Sequence, residues 1–269
     1  MTTAGFQLTF LGSGSAFYIG DRLGENWQSN LLIEAPSGRR LLLDCGSDIR
    51  FSLMERGLQA TDIDDVFISH LHADHIGGLE WLAFQTKFST QGRKPNLYAS
   101  KAIMGDLWTH SLRGGLGCLE GEDASMRSYF DIHPIARNKG FEWEGVQFRL
   151  VQVVHVMAGS ELSPSFGLLF TLGSTRVFFT SDTQYTPAQI HRFYQEADLI
   201  LHDCETGACQ SGVHARYEQL IDLPHEIRKK MWLYHYQPGQ KRDACADGFA
   251  GWAEKGKQFA FPLESCRAA

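Results

Sequence analysis

Residues His70-Leu71-His72-Ala73-Asp74-His75 put three imidazoles and a carboxylate within six positions, directly after the apolar run Val66-Phe67-Ile68-Ser69. Imidazole nitrogens and carboxylate oxygens are the ligands that zinc and related divalent metals take. On an extended segment His70 and His72, two apart, project to one side. Asp74 and His75 follow where Gly77-Gly78 permits a tight turn, so they can face a second metal about 3.5–4 Å from the first. At this histidine content the pattern arises by chance roughly once in a thousand chains of this length, which favours a metal site over scattered surface histidines. Three more residues end apolar strands: His155 after Val151–Val154, Asp182 after Val177–Thr180, and His235 after Met231–Tyr234. A carboxylate at such a strand end is costly to bury unless it is paired or metal-bound. A lone strand-end histidine reads more simply as core, but beside the first cluster both become candidate ligands. His110, His133, His191 and His225 read as ordinary surface or core residues.

The elements that must position these groups are visible as apolar runs. Strands are expected at Phe6–Leu11, Leu31–Glu34, Leu41–Asp44, Val66–Ser69, Phe148–Val154, Phe166–Leu172, Val177–Thr180 and Leu199–Leu201, with a hairpin turn at Gly173-Ser174. Ser47 is placed to cap a helix ending near Gly57. Thr186-Pro187-Ala188-Gln189 predicts a capping box and a helix from Pro187 to about Glu196. Further helices are expected at Lys101–Leu112, His225–Lys230 and Ala244–Glu254. Strands come in two groups, each followed by helices, which predicts an α+β layered sandwich of two sheets with helices outside. No linker cuts the chain, so residues 1–269 read as one domain. Gly114–Ser128, rich in glycine and then acidic, reads as a long flexible loop.

The chain has 269 residues, 43% hydrophobic and 21% charged, which excludes a disordered, coiled-coil or fibrous protein. No apolar run approaches the 18 or more residues of a membrane span, and MTTAGFQLTFLG lacks the basic and apolar regions of a secretory signal. A cytoplasmic protein with no membrane partner is expected. The net charge of −6 argues against an extended nucleic-acid footprint and against DNA as a partner. The basic clusters Arg228-Lys229-Lys230 and Lys241-Arg242 read as solvated faces. The six cysteines, Cys45, Cys118, Cys204, Cys209, Cys245 and Cys266, form no CxxC pair, so neither a zinc ribbon nor a thioredoxin-like motif is present.

Taken in order, Thr9-Phe10-Leu11-Gly12-Ser13-Gly14-Ser15, Leu43-Asp44-Cys45-Gly46, His70–His75, Ser181-Asp182-Thr183 and Leu233-Tyr234-His235 resemble the metallo-β-lactamase fold superfamily of metallohydrolases. The resemblance covers nearly the whole chain. It implies a four-layer αββα sandwich of two mixed sheets with the site at one sheet edge. It also implies His70, His72 and His155 on one metal, Asp74, His75 and His235 on a second, and Asp182 bridging them. Two divalent ions are thereby implied, with Zn2+ expected first and Mn2+ or Fe2+ as alternatives. Leu201-His202-Asp203-Cys204-Glu205-Thr206, followed by Gly212-Val213-His214, is similar to a segment of the ribonuclease Z and phosphodiesterase branch. There an acidic residue orients a histidine that protonates the leaving group, which assigns Asp203 and His214 to those roles. Val213 departs from that branch by separating glycine from histidine.

The charge balance agrees with a phosphodiester substrate. Two divalent cations carry four charges, and ionised Asp74 and Asp182 neutralise two. The excess stabilises a phosphodiester and lowers the pKa of a bridging water toward about 7, supplying hydroxide that Asp74 can orient. Expelling an alkoxide then calls for the proton His214 can give. Three features depart from ribonuclease Z: no glycine/proline-rich arm, Cys45–Arg50 in place of a GEGTQ-type segment, and Ala73 where glycine is usual. A small phosphodiester such as a cyclic nucleotide is therefore expected, with Trp27, in Gly24–Asn30 near the site, either stacking on a base or belonging to the core. Alternatives are a ribonuclease Z-like endoribonuclease with RNA as substrate, a lactone or thioester hydrolase on the same metals, a mononuclear iron dioxygenase, and a metal-binding scaffold without activity. The superfamily's diiron redox members carry glutamate where His72 stands, which argues against them. Related hydrolases are often dimers, so a homodimer is an expected partner state.

Overall fold

The computed structural model describes residues 5–16, 18–90 and 92–263. Met1–Ala4 and Cys266 lie outside them. Of the strands that build the two large sheets, six come first: β1 (Gly5–Gly12), β2 (Asn30–Glu34), β3 (Arg40–Leu43), β4 (Asp65–Ile68), β5 (Asn96–Ser100) and β6 (Asp131–Ile135). Seven follow: β7 (Gly140–Trp143), β8 (Val146–Val153), β9 (Ser165–Leu172), β10 (Thr175–Phe179), β11 (Leu199–Asp203), β12 (Met231–Tyr234) and β13 (Gly251–Trp252). β14 (Gln258–Pro262) then returns to the first sheet and pairs antiparallel with β1, Gly5 opposite Pro262. The sheet orders are β14-β1-β2-β3-β4-β5-β6 and β13-β12-β11-β10-β9-β8-β7. Each sheet is mixed, antiparallel at one end and parallel at the other. This is the expected αββα metallo-β-lactamase fold.

Side-chain alternation explains the layers. On β9, Phe166, Leu168 and Phe170 join the core between the sheets, while Leu169 faces outward. On β10, Val177 and Phe179 point inward, and Phe178 packs outward on Phe193 of the Pro187–Glu196 helix at 5.5 Å between rings. A file of rings, Phe67, Phe141, Phe148 and Phe170, joins the two sheets at successive spacings of 5.9, 4.9 and 4.6 Å.

Several local expectations give way to tertiary contacts. Ser47 does not cap: its Oγ donates to Ala73 O at 3.0 Å, and Asp48 occupies the cap position of the Ile49–Glu55 helix. Thr186 donates to Gln189 Oε1, so the capping box is not closed, although Pro187 opens the helix as expected. The Lys101 helix continues past Leu112, through a π-helical stretch at Leu107–Leu112 to Leu116. Ala244–Glu254 is not a helix: it is turns followed by β13, with Gly248 and Gly251 at φ 82° and 141°. Gly77 and Gly78 make no left-handed turn. They lie in the helical region, where missing Cβ atoms let Ser47 Oγ and Gly46 O approach. Within 114–128, Cys118–Leu119 pairs with Glu122–Asp123, and Leu116, Ala124 and Met126 are buried. Tyr129 Oη ties this segment down by donating to Leu116 O at 2.6 Å. Cys45, Cys118, Cys204, Cys209 and Cys245 form no disulfide. Among the described residues, no helix is long and apolar enough to cross a membrane.

Candidate metal centre

The strand ends of both sheets meet at one edge. His70 leaves β4 and His72 stands at the cap position of the short helix Ala73–Ile76, which carries Asp74 and His75. From the second sheet come His155 after β8, Asp182 after β10, and His235 after β12. Asp44, Ser181 and His235, each just past a strand, hold φ of 64°, 54° and 63°. Left-handed non-glycine residues cost on the order of 1–3 kcal/mol each and persist where the surroundings over-determine them. Here they turn the chain sharply at the site.

Two donor sets converge on one oxygen of Asp182, and a third group joins Asp182 and His235 to Asp203 and His214. In the first, His72 Nδ1 lies 3.1 Å from both His70 Nε2 and His155 Nε2, and Asp182 Oδ2 lies 3.7 Å from each of the latter. In the second, His75 Nε2 is 3.1 Å from Asp74 Oδ2 and 3.2 Å from Asp182 Oδ2; His235 Nε2 is 3.2 and 3.4 Å from the same two oxygens. Four ligands about 2.0–2.2 Å from one tetrahedral ion lie about 3.3–3.6 Å apart, close to these edges. Asp182 Oδ2 belongs to both sets. Each set lies within 4.8 Å, donor to donor.

The charges agree with the geometry. Asp44, Asp74, Asp182 and Asp203 are all buried, and none pairs with lysine or arginine among the described residues. Burial lowers the pKa of His70, His72 and His155, leaving neutral imidazoles with free lone pairs. Burial also opposes charge on His75 and His235, but Asp182 and its neighbouring carboxylates raise both well above the ordinary range. A proton or a metal is what this field attracts. Asp182 Oδ1, Asp203 Oδ1 and His235 Nδ1 are buried without hydrogen-bond partners among the described residues. The donor set therefore fits divalent metal.

Outer contacts aim the rings. Asp44 Oδ2 accepts from His75 Nδ1 at 2.8 Å and from Ser69 Oγ at 2.8 Å, and Ser69 Oγ in turn accepts from His70 Nδ1 at 3.0 Å. His155 Nδ1 donates to Val213 O at 2.8 Å. Such partners fix the tautomer and leave the opposite nitrogen for metal. Val213, the departure from the glycine-histidine motif, thus supplies a carbonyl that orients His155. Sequence reasoning gave Asp44 no role. The signal was a polar residue ending the apolar β3, the same pattern that singled out Asp182.

Asp203 Oδ2 accepts from His214 Nδ1 at 2.7 Å and from Thr183 N at 2.9 Å. His214 stacks on His235 with centroids 4.7 Å apart and lines a cavity of about 430 Å³ with His72, Asp74, Asp182 and His235. Burial pulls the His214 pKa down, but the Asp203 carboxylate more than offsets this and raises it. His202, adjacent in sequence, belongs to the core: its Nδ1 donates to Asp203 O and its Nε2 accepts from Tyr194 Oη, each at 2.6 Å. Trp27 does not line the cavity; its ring stacks on Phe51 at 5.4 Å, and the neighbouring Gln28 reaches the cavity instead.

Comparison with known proteins places this geometry. The family described as Anti-Pycsar protein Apyc1 matches residues 6–259. The Anti-Pycsar protein Apyc1 of Paenibacillus harenae is 34% identical over 232 residues, 86% of this chain and 89% of that protein. The metallo-β-lactamase fold protein YhfI from Bacillus subtilis superposes with a TM-score of 0.71 at 19% identity, covering 95% of this chain and 99% of that one. A diphosphatase of the PhnP family superposes at 0.72, again at 19% identity, covering 96% and 98%. With its convergent donor sets, the chain is a metal-dependent hydrolase, and it belongs to the Anti-Pycsar protein Apyc1 family.

Proposed function

We propose that this protein hydrolyses a small phosphodiester such as a cyclic nucleotide, with His214 as general acid. The observation that carries the reading is the Asp203–His214 pair. With Nδ1 bound to Asp203 at 2.7 Å, Nε2 is the nitrogen left for substrate in the cavity beside the donor sets. His70, His72 and His155 would hold one divalent ion, and Asp74, His75 and His235 a second, with Asp182 shared. When bound, such ions neutralise phosphoryl oxygens and lower the pKa of water. Zn2+ suits the nitrogen-rich set, and Mn2+ or Fe2+ would also be accepted.

The chain's own residues do the rest. Asp74 accepts a hydrogen bond from the attacking water and orients it, and the proton this water sheds passes to solvent, from which His214 is afterwards reprotonated. As the new P–O bond forms and the old one breaks, His214 gives its Nε2 proton to the leaving oxygen. Asp203 fixes the ring's orientation and stabilises its protonated form. A cavity of about 430 Å³ suits a nucleotide-sized ligand, and the net charge of −6 disfavours a long polyanion.

The test is turnover of 3′,5′- and 2′,3′-cyclic nucleotides, a tRNA precursor and a lactone by metal-loaded protein, with His214→Ala alongside. Cyclic-nucleotide turnover that falls about 10²–10⁴-fold in the variant, at unchanged metal content, is expected. Cleavage of the tRNA precursor alone would replace this reading with a ribonuclease. Turnover of the lactone alone, unchanged by the substitution, would overturn the role of His214.

A further inference from the structure

Glu205 has no part in the mechanism above, yet it lines the same cavity and is only 3% exposed. Its backbone is pinned on both sides: its N–H donates to Ala215 O at 2.8 Å and its carbonyl accepts from Tyr217 N at 3.2 Å. Its carboxylate receives a single N–H, that of Ser211, at 3.0 Å to Oε1 and 3.3 Å to Oε2. No ion pair reaches it among the described residues. A carboxylate has about four acceptor positions, and a buried one left short of donors is costly. What it lacks is therefore a donor, and the cavity is where one can come from.

We infer that Glu205 is a specificity-determining residue that accepts a hydrogen bond from a neutral O–H or N–H on the non-phosphate part of the substrate. This rests on the phosphodiester reading above. The carboxylate repels any second anionic group at that point, so the substrate class is a monoanionic diester whose organic part carries a donor. In a nucleotide that donor is the ribose 2′-hydroxyl or an exocyclic amine of the base. A metal ligand role does not fit, since Glu205 belongs to none of the converging donor sets.

The experiment compares kcat/KM for adenosine 3′,5′-cyclic monophosphate, its 2′-deoxy analogue, the purine riboside analogue lacking the amine, and bis(4-nitrophenyl) phosphate, which has no donor. The expected result for the wild-type protein is a preference of about 10–100-fold for adenosine over one of the two analogues, which identifies hydroxyl or amine. Glu205→Gln, which keeps an acceptor for Ser211 N, should shrink that preference to within about threefold, raising KM more than it lowers kcat. Two outcomes overturn the inference: a wild-type protein that turns over all three nucleotides alike, or a variant that loses activity on every substrate by one common factor. If no diester is turned over, bis(4-nitrophenyl) phosphate included, the phosphodiester reading itself falls and takes this inference with it. The wild-type comparison needs no variant to fold, and metal content and melting temperature check that Glu205→Gln does.

Discussion

Between Ile68 and Ile76 the first half of the chain delivers four donors from one short segment, whereas the second half delivers His155, Asp182 and His235 from the ends of three different strands. Each half also has one buried aspartate behind its donors. Asp44 follows β3 and holds His75 directly and His70 through Ser69. Asp203 ends β11 and holds His214, with an oxygen 3.4 Å from His235 Nδ1. The contiguous segment can adopt much of its geometry locally. The dispersed set exists only once β8, β10 and β12 are packed, so bound metal ties the two sheets together and contributes directly to folding stability. The two aspartates also differ in kind: one supports only ligands, while the other supports the group proposed to move a proton.

The largest effect should come from the residue shared by both donor sets. Asp182→Ala should strip nearly all bound metal and cut turnover by more than about 10⁴-fold, read by elemental analysis and initial rates. A variant keeping both would end the assignment. Next, Asp203→Asn should resemble His214→Ala: a loss of about 10²–10³-fold with metal retained, smaller for 4-nitrophenyl leaving groups that need no proton. Asp44→Asn should instead weaken metal binding by about 10–100-fold, lowering rates equally for good and poor leaving groups. If the two asparagine variants show the same leaving-group dependence, the two aspartates do the same job and the contrast between the halves is lost.

The last effect is read on stability alone and leaves the chemistry untouched: it concerns Asp48, a carboxylate near the first half's donors with no histidine of its own. Burial, with the Asp74 charge adding to it, raises its pKa from 3.8 to about 6, despite the N–H it accepts from Gln28. An acid whose folded pKa lies above its unfolded one costs stability as pH rises through that window. Asp48→Asn in chelated protein should therefore gain up to about 3 kcal/mol at pH 8, seen as a melting temperature raised by several degrees. The gain should fade as pH drops from about 6 to below 4. An equal gain at pH 4 would mean that the charge is not its source.

The first cluster was legible because its residues are contiguous, and the strand-end donors because polar groups ending apolar runs are conspicuous. Strands β8 to β11 were legible for the same reason. Harder to read were β5, β6 and β7, where Asn96-Leu97-Tyr98, Asp131-Ile132-His133 and Gly140-Phe141-Glu142 mix polar residues into short stretches. Ser47 and Thr186 have the residue types of caps, but their hydroxyls are drawn to Ala73 O and Gln189 Oε1. Local propensity cannot anticipate Ala73 O, a tertiary partner, whereas Gln189 is a local competitor for the Thr186 hydroxyl. The roles of Asp44 and Val213 were not legible because they run through another residue's ring.

Gly5 pairs with Pro262, so the first sheet is complete only when residues more than 250 positions apart have met. Closing so long a loop costs only a few kcal/mol more than closing a short one, but such distant pairings form late and slowly. Until Gln258–Pro262 arrives, β1 is a bare edge carrying Phe6, Leu8 and Phe10, a template on which another copy's strand can add. The hazard in making this protein thus lies far from its chemistry: a chain stopped short of residue 258 retains every metal donor, yet is primed to aggregate.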